Sequence, residues 1–290
     1  MKIRSNGDRV FDVVNYTVIT LFALVCLFPF VYVAAFSITP YTEYLQNPLK
    51  LIPSHAEFGA YRQIFKMTVL WTGYRNTILI TVAGVLINIF LMLITAYPLS
   101  KRDLKGRNVA LILITFTMFF NGGLIPNFYL IRSLHLYNSL WSLILPGALG
   151  AYNLILMKNF ISNIPPSLEE SASIDGANEV TILAKIIIPL SKPAIATFVI
   201  FHAVSQWNLF FNAVIYTSKR ELWPLMLIVR DLVVDSGAVA RDTSDAVNTG
   251  VTEFTIKMAI IIFSTLPILL IFPFMQKYFM KGILIGSIKG

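Results

Sequence analysis

The feature that most constrains this chain is the recurrence of apolar runs of membrane-spanning length. A helix rises about 1.5 Å per residue, so roughly 20 apolar residues match the hydrocarbon core of a bilayer. Six segments meet that length: 16–38, 77–99, 109–131, 140–157, 194–216 and 258–278. Of the 290 residues, 56% are hydrophobic and 13% charged, against about a quarter charged in soluble proteins. The expectation is an all-α membrane protein, one polytopic domain over 1–290 with six transmembrane helices. The fourth run is interrupted by Pro146, Gly147 and Gly150. The first is too long for a cleavable leader and lacks a small-residue cleavage site, so it reads as a retained anchor. The single cysteine, Cys26, lies in an apolar run and offers neither a disulfide framework nor a thiolate cluster.

Basic residues near the ends of spans set orientation. Lys2, Arg4 and Arg9, then Lys101, Arg102, Lys105 and Arg107, then Lys158, Lys185 and Lys192, then Lys277, Lys281 and Lys289 fall on one side of a six-span arrangement. That side reads as cytoplasmic and holds both termini. The net charge of +8 is thus accounted for by topology and does not point to nucleic acid. The opposite side carries two long segments, 39–76 and 217–257. Loops of that length are uncommon without a function; a lid over the bundle and a docking surface for an extracytoplasmic partner both fit.

One polar stretch interrupts the apolar pattern on the cytoplasmic side, at about 163–190. Pro165 and Pro166 can only begin a helix, having no N–H to donate. Ser167 and Glu170 have the spacing of a capping box. Asp175-Gly176 supplies a turn that needs a left-handed residue, and Asn178 can cap a second helix with Val180, Leu183, Ile186 and Ile187 on its apolar face. Pro189 and Pro193 end it. A short helical hairpin projecting from a membrane domain gives a soluble partner something rigid to grip.

The remaining chemistry narrows the function. His55, His135 and His202 lack metal-ligand spacing, no nucleotide-binding Gly-rich loop is present, and no convergent catalytic constellation or metal site emerges. No Asp, Glu, Lys or Arg lies within the core of a predicted span, where ion-coupled carriers place such groups. Energy for transport would therefore come from another chain. An ATPase-independent secondary transporter or channel is the alternative, and a non-transport scaffold a further rival. The fifth span carries Gln206, Trp207, Asn208, Phe211 and Asn212. Amides in lipid are costly unless they face protein or water, so these residues line a substrate pathway or make interhelical hydrogen bonds.

Glu170-Ser171-Ala172, three residues, Gly176, nine residues, then Ile186-Ile187-Ile188-Pro189 resembles the EAA loop of ABC-importer membrane subunits. Ser171 and Ile188 depart from that pattern but keep size or hydrophobicity. The resemblance covers nearly the whole chain and is to the carbohydrate, maltose-permease-like branch. Phe120-Asn121-Gly122-Gly123-Leu124-Ile125-Pro126 and Leu145-Pro146-Gly147-Ala148 are similar to permeases for oligosaccharides, including uronate-containing ones. The resemblance implies the type I ABC importer fold in a prokaryotic inner membrane. It implies two ATPase subunits, a second and paralogous permease subunit, and an extracytoplasmic solute-binding protein. ATP and Mg would reside on the ATPase, with no cofactor on this chain. Glu170, Ser171, Ala172, Asp175, Gly176, Ala177 and Pro189 would form the ATPase-coupling loop. Ser236, Gly237 and Ala238 match in position a loop that reaches into the binding protein. The tail from Gly282 onward reads as a frayed end or as reaching the ATPase interface.

Overall fold

The computed structural model describes residues 6–235 and 251–287, which contain helices and no strand. Ser236, Gly237 and Ala238 lie outside the described residues. Contacts divide the chain into two units, one formed by Met1–Thr68 and Val229–Leu266, the other by Val69–Ile228 and Pro267–Gly290.

In the first unit, α1 spans Asn6–Phe36. Its apolar side chains are almost bare; Phe22 and Val25 are both 71% exposed. The Ser37 and Thr39 hydroxyls donate back to the Ala34 and Ala35 carbonyls, each at 2.7 Å, and Pro40 follows. The predicted outer loop 39–76 is largely helical, with α2 at Tyr41–Gln46 and α3 at Gly59–Lys66. Rings hold this part together: Tyr44 meets Phe36 edge-on at 4.9 Å and stacks on Phe254 at 4.5 Å. Between α2 and α3, the Glu43 carboxylate accepts from Lys50 Nζ at 2.6 Å and from the Ser54 amide at 2.9 Å. The Lys50 hydrogen bond, helped by that amide, pulls its pKa down to about 2.

The second unit is arranged along α4, Thr68–Ser100. Its buried positions include Leu70, Gly73, Thr77, Ile80, Gly84, Asn88, Met92 and Ala96, a helical stripe of small and apolar residues. Polar side chains on this stripe satisfy backbone groups of other segments. Asn76 Nδ2 donates to the Glu221 carbonyl at 2.7 Å and the Trp223 carbonyl at 3.1 Å. Thr77 Oγ1 accepts from the Leu225 amide at 2.8 Å, and Asn88 Nδ2 donates to the Ala148 carbonyl at 2.8 Å. Irregular backbone survives at membrane depth only when protein satisfies it in this way.

Three predicted spans are broken. The third becomes α5, Arg107–Phe119, and α6, Leu124–Ser133, bent by 117°. The break is built on Gly123, whose φ of +85° and ψ of 177° are open to glycine almost alone; Asn121 Oδ1 accepts its amide at 2.8 Å. The fourth becomes α7, Trp141–Ile144, and α8, Ala151–Ser162, parted around Pro146. Next come α9, Pro166–Ile174, α10, Glu179–Ile182, a π-helical segment Leu183–Ile187, and α11, Ile188–Leu190. The fifth span becomes α12, Lys192–Trp207, and α13, Phe211–Tyr216. The outer segment after it holds α14, Leu225–Val234. The last helix, α15, Glu253–Ser287, runs through Pro267 and Pro273.

Within these residues α1, α4 and α15 are each long and apolar enough to cross a membrane. Counting two bent pairs as spans, α5 with α6 and Glu179–Leu190 with α12, raises the number to five. The predicted fourth span is not among them, since Pro146 and its glycines leave α8 only 12 residues. The chain is a multi-pass membrane protein.

Candidate functional site

The polar stretch folds as a helical hairpin, and its turn follows from one glycine. Gly176 has φ +85°. Its amide donates to the Ser173 carbonyl at 3.1 Å, and the Ala177 amide reaches back to the Ala172 carbonyl at 2.9 Å. This is a Schellman closure, which satisfies carbonyls the helix end would orphan. Asn178 then caps α10, its Oδ1 accepting from the Thr181 amide at 2.8 Å. Past α10 the winding widens, and the Ile188 amide donates to the Leu183 carbonyl five residues back. Pro189 has no amide to give, and its ring would clash with a carbonyl four residues back; the wider turn makes room for it.

At the start of α9, Pro165 is the cap residue and Pro166 the first helical residue, with no side-chain cap. The expected Ser167–Glu170 capping box is therefore not formed: Ser167 is already inside the first turn. Inward, Ile182 and Ile187 are fully buried, each stabilising by about 2 kcal/mol. They join a core with Met92, Ala96, Leu154 and Met157, against which Ala172, Ala177, Leu183 and Ile186 pack. The expected inward Val180 is instead 75% exposed, and Ile182 takes its place. The π segment shifts the helical phase, so an uninterrupted period misassigns it.

Glu170, Ser171, Asp175, Gly176 and Pro189 are exposed, whereas Ala172 and Ala177 are half-buried against the core. Glu169 forms an ion pair with Lys101, just past the end of α4. The Lys101 ammonium lies 3.8 Å from the Glu179 carboxylate and 4.7 Å from the centre of the Tyr97 ring. Tyr97 Oη in turn donates to Glu179 at 2.5 Å. An open groove of about 1070 Å³ separates the hairpin from the 101–107 loop, lined by Lys101, Arg107, Lys158, Glu169 and Glu170 among others.

The polar run of α12 is brought together only in part. Gln206 and Trp207 are buried, Asn212 is half-buried, and Asn208 and Phe211 are exposed. Asn208 Nδ2 donates to the Val204 carbonyl at 2.8 Å in its own helix. Gln206 Nε2 lies 3.3 Å from His202 Nε2 and presses on Gly84, where a Cβ would come within 2.9 Å of it. Gln206 Oε1, Trp207 Nε1 and Thr81 Oγ1 are buried without a hydrogen-bond partner. Thr81 and Trp207 also line an apolar cavity of about 260 Å³ with Ile78, Val204, Ile268 and Ile271.

The sequence pattern of the family described as "binding-protein-dependent transport system inner membrane component" matches residues 1–285. The chain belongs to this family. This inner membrane component is 44% identical over 284 residues to the polygalacturonan/rhamnogalacturonan transport system permease protein of Bacillus subtilis, covering 98% of this chain and 99% of that one. It is similar to a crystal structure of a bacterial ABC transporter involved in the import of the acidic polysaccharide alginate, with TM-score 0.90 and 35% identity over 96% of this chain and 100% of that one. A bacterial alginate ABC transporter in complex with alginate pentasaccharide-bound periplasmic protein shares the fold, with TM-score 0.59 and 16% identity over 93% of each chain.

Two features of the inner membrane component escaped sequence reasoning. Ile174 and Val180 stand out from the hairpin at 86% and 75% exposed, an apolar pair on a projecting turn. Lys101 gathers partners from both arms of the hairpin. Its position in a basic loop signals orientation, and only the fold reveals those partners.

Proposed function

We propose that this chain is the permease subunit of an ABC importer that carries an oligosaccharide into the cell, driven by ATP hydrolysis on a separate subunit. The observation that carries this reading is the hairpin. It is anchored inward by Ile182 and Ile187, closed by Gly176, and presents Glu170, Ser171 and Asp175 beside the exposed Ile174 and Val180. Such a knob suits a cleft with an apolar floor and a cationic rim. Glu170 then meets an arginine of an ATPase subunit, while Ala172 and Ala177 pack the hairpin against the core and Pro189 fixes its wide turn. Six spans with both termini cytoplasmic put this hairpin on the ATPase side. Two ATPase subunits hold ATP and Mg, a paralogous permease subunit completes the pathway, and an extracytoplasmic binding protein delivers the sugar. ATP-driven closure of the ATPases moves the hairpins as rigid bodies and opens the pathway outward. Gln206 and Trp207, with polar atoms left unpaired in a buried setting, supply an acceptor and a donor toward sugar hydroxyls. The names of the relatives above favour an acidic oligosaccharide, and the exposed Lys219 and Arg230 fit one.

The test is mild detergent extraction, identification of what co-purifies, and uptake in reconstituted vesicles. Recovery of an ATPase and a different permease chain is expected. Transport by this chain alone under an ion gradient would instead establish the secondary transporter. A pair of variants addresses the hairpin itself. Beyond its chain neighbours no atom lies within 4 Å of a Cβ built on Gly176, so substitution acts through backbone strain and not through bulk. Gly176→Val, a β-branched residue at positive φ, costs about 2 kcal/mol at the turn and abolishes uptake with insertion intact. Gly176→Asn, which tolerates that conformation, retains most uptake. Equal uptake in both variants and the parent would refute the hairpin's role.

A further inference from the structure

The two arms of the hairpin are not held to the body in the same way. The α10 arm is anchored by the buried Ile182 and Ile187. The α9 arm has no buried residue; within it only Ala172 packs against the core. A force on the exposed face of α9 would therefore swing that arm about the Gly176 turn unless something ties it back. Glu169 is half-buried and paired with Lys101, while its neighbour Glu170 is exposed. Lys101 directly follows Ser100, the last residue of α4, and its ammonium also approaches Glu179 on α10 and the Tyr97 ring on α4. Tyr97 closes the circuit through its bond to Glu179. One cation thus joins α9, α10 and the end of the helix along which the unit is arranged.

We infer that Lys101 is a positioning residue that clamps both arms of the hairpin to α4, so that hairpin displacement becomes displacement of α4. The inference rests on the coupling function proposed above. An exposed ion pair adds little to stability, and a clamp of this kind acts instead on how much of a movement is transmitted. Lys101→Met removes the charge and keeps the aliphatic stem. Lys101→Arg keeps a cation able to reach both carboxylates. Glu169→Gln with Glu179→Gln removes the carboxylates and leaves Lys101 over Tyr97.

The experiment uses the whole importer in vesicles, with galacturonan oligosaccharides as the transport probe, and reads sugar imported per ATP hydrolysed. The ratio is expected to fall roughly tenfold in Lys101→Met and in the double glutamine variant, with ATP hydrolysis largely kept and with the ratio restored in Lys101→Arg. A parental ratio in the double variant, or equal losses in Lys101→Met and Lys101→Arg, would overturn the clamp. A distance measurement decides it separately from transport. Spin labels at Ile174→Cys and Leu86→Cys on a Cys26→Ser chain should give a narrow distance distribution that broadens with Lys101→Met. Unchanged width would overturn the clamp even if transport is impaired. Absence of any ATP-driven uptake by the parent would instead remove the functional reading and leave the clamp to the distances.

Discussion

Helices α1 and α4 have nearly the same apolar character and opposite surroundings. Both are apolar enough to cross a membrane, yet 6% of the apolar stretch of α1 is buried and 33% of that of α4. The difference lies in where small and polar side chains are spent. On α1, Thr17 turns its hydroxyl to the Val13 carbonyl of its own helix, at 2.8 Å. On α4, Asn76, Thr77 and Asn88 serve backbone groups 60 to 148 residues away, and Gly73 and Gly84 let neighbours approach closely. Hydropathy marks both as spans; the destination of the polar groups marks only α4 as packed.

This contrast can be broken most sharply at Gly73. A Cβ there would meet Ile228 Cδ1 at 2.6 Å and the Leu225 backbone at 3.1 Å, and backbone cannot step aside. Gly73→Val should cost about 3 kcal/mol, read as a lowered unfolding midpoint in detergent; an unchanged midpoint would mean that α4 is not the packed helix. A smaller loss, about 1 kcal/mol, is expected for Asn88→Leu, which strands the Ala148 carbonyl, and it should appear first as faster exchange or cleavage around 145–150. Phe22→Ala on α1 should shift the midpoint of the isolated chain by no more than about 0.5 kcal/mol. Repeating that last measurement in the assembled importer sharpens the comparison, because a larger cost there would assign the bare face of α1 to another subunit.

The sequence made the long helices and the hairpin legible because both depend on local information. Run length identifies spans, and Pro166, Gly176 and Asn178 act within a few residues of themselves. The breaks in the third and fifth predicted spans were hidden by their apolar composition, whereas Pro146, Gly147 and Gly150 marked the fourth. Those breaks are tolerated through contacts such as Asn88 to Ala148, which no local pattern announces. The same holds for Glu169: its partner Lys101 lies 68 positions earlier in the chain, and only the fold brings the two together. Val180 was misplaced for a third reason, a change of helical period at Leu183–Ile187. The outer segments read as loops because prolines and aromatics dominate them, although α2, α3 and α14 form there.

That wide turn has a consequence for how such a chain can be altered. A π turn holds one residue more than an α-helical path requires. Deleting a single codon within 183–187 would restore the narrower winding and bring Pro189 against a carbonyl it must avoid. The room that Pro189 needs is therefore recorded as a length of chain as much as in the identity of any side chain, and the smallest in-frame edit to the gene is enough to remove it.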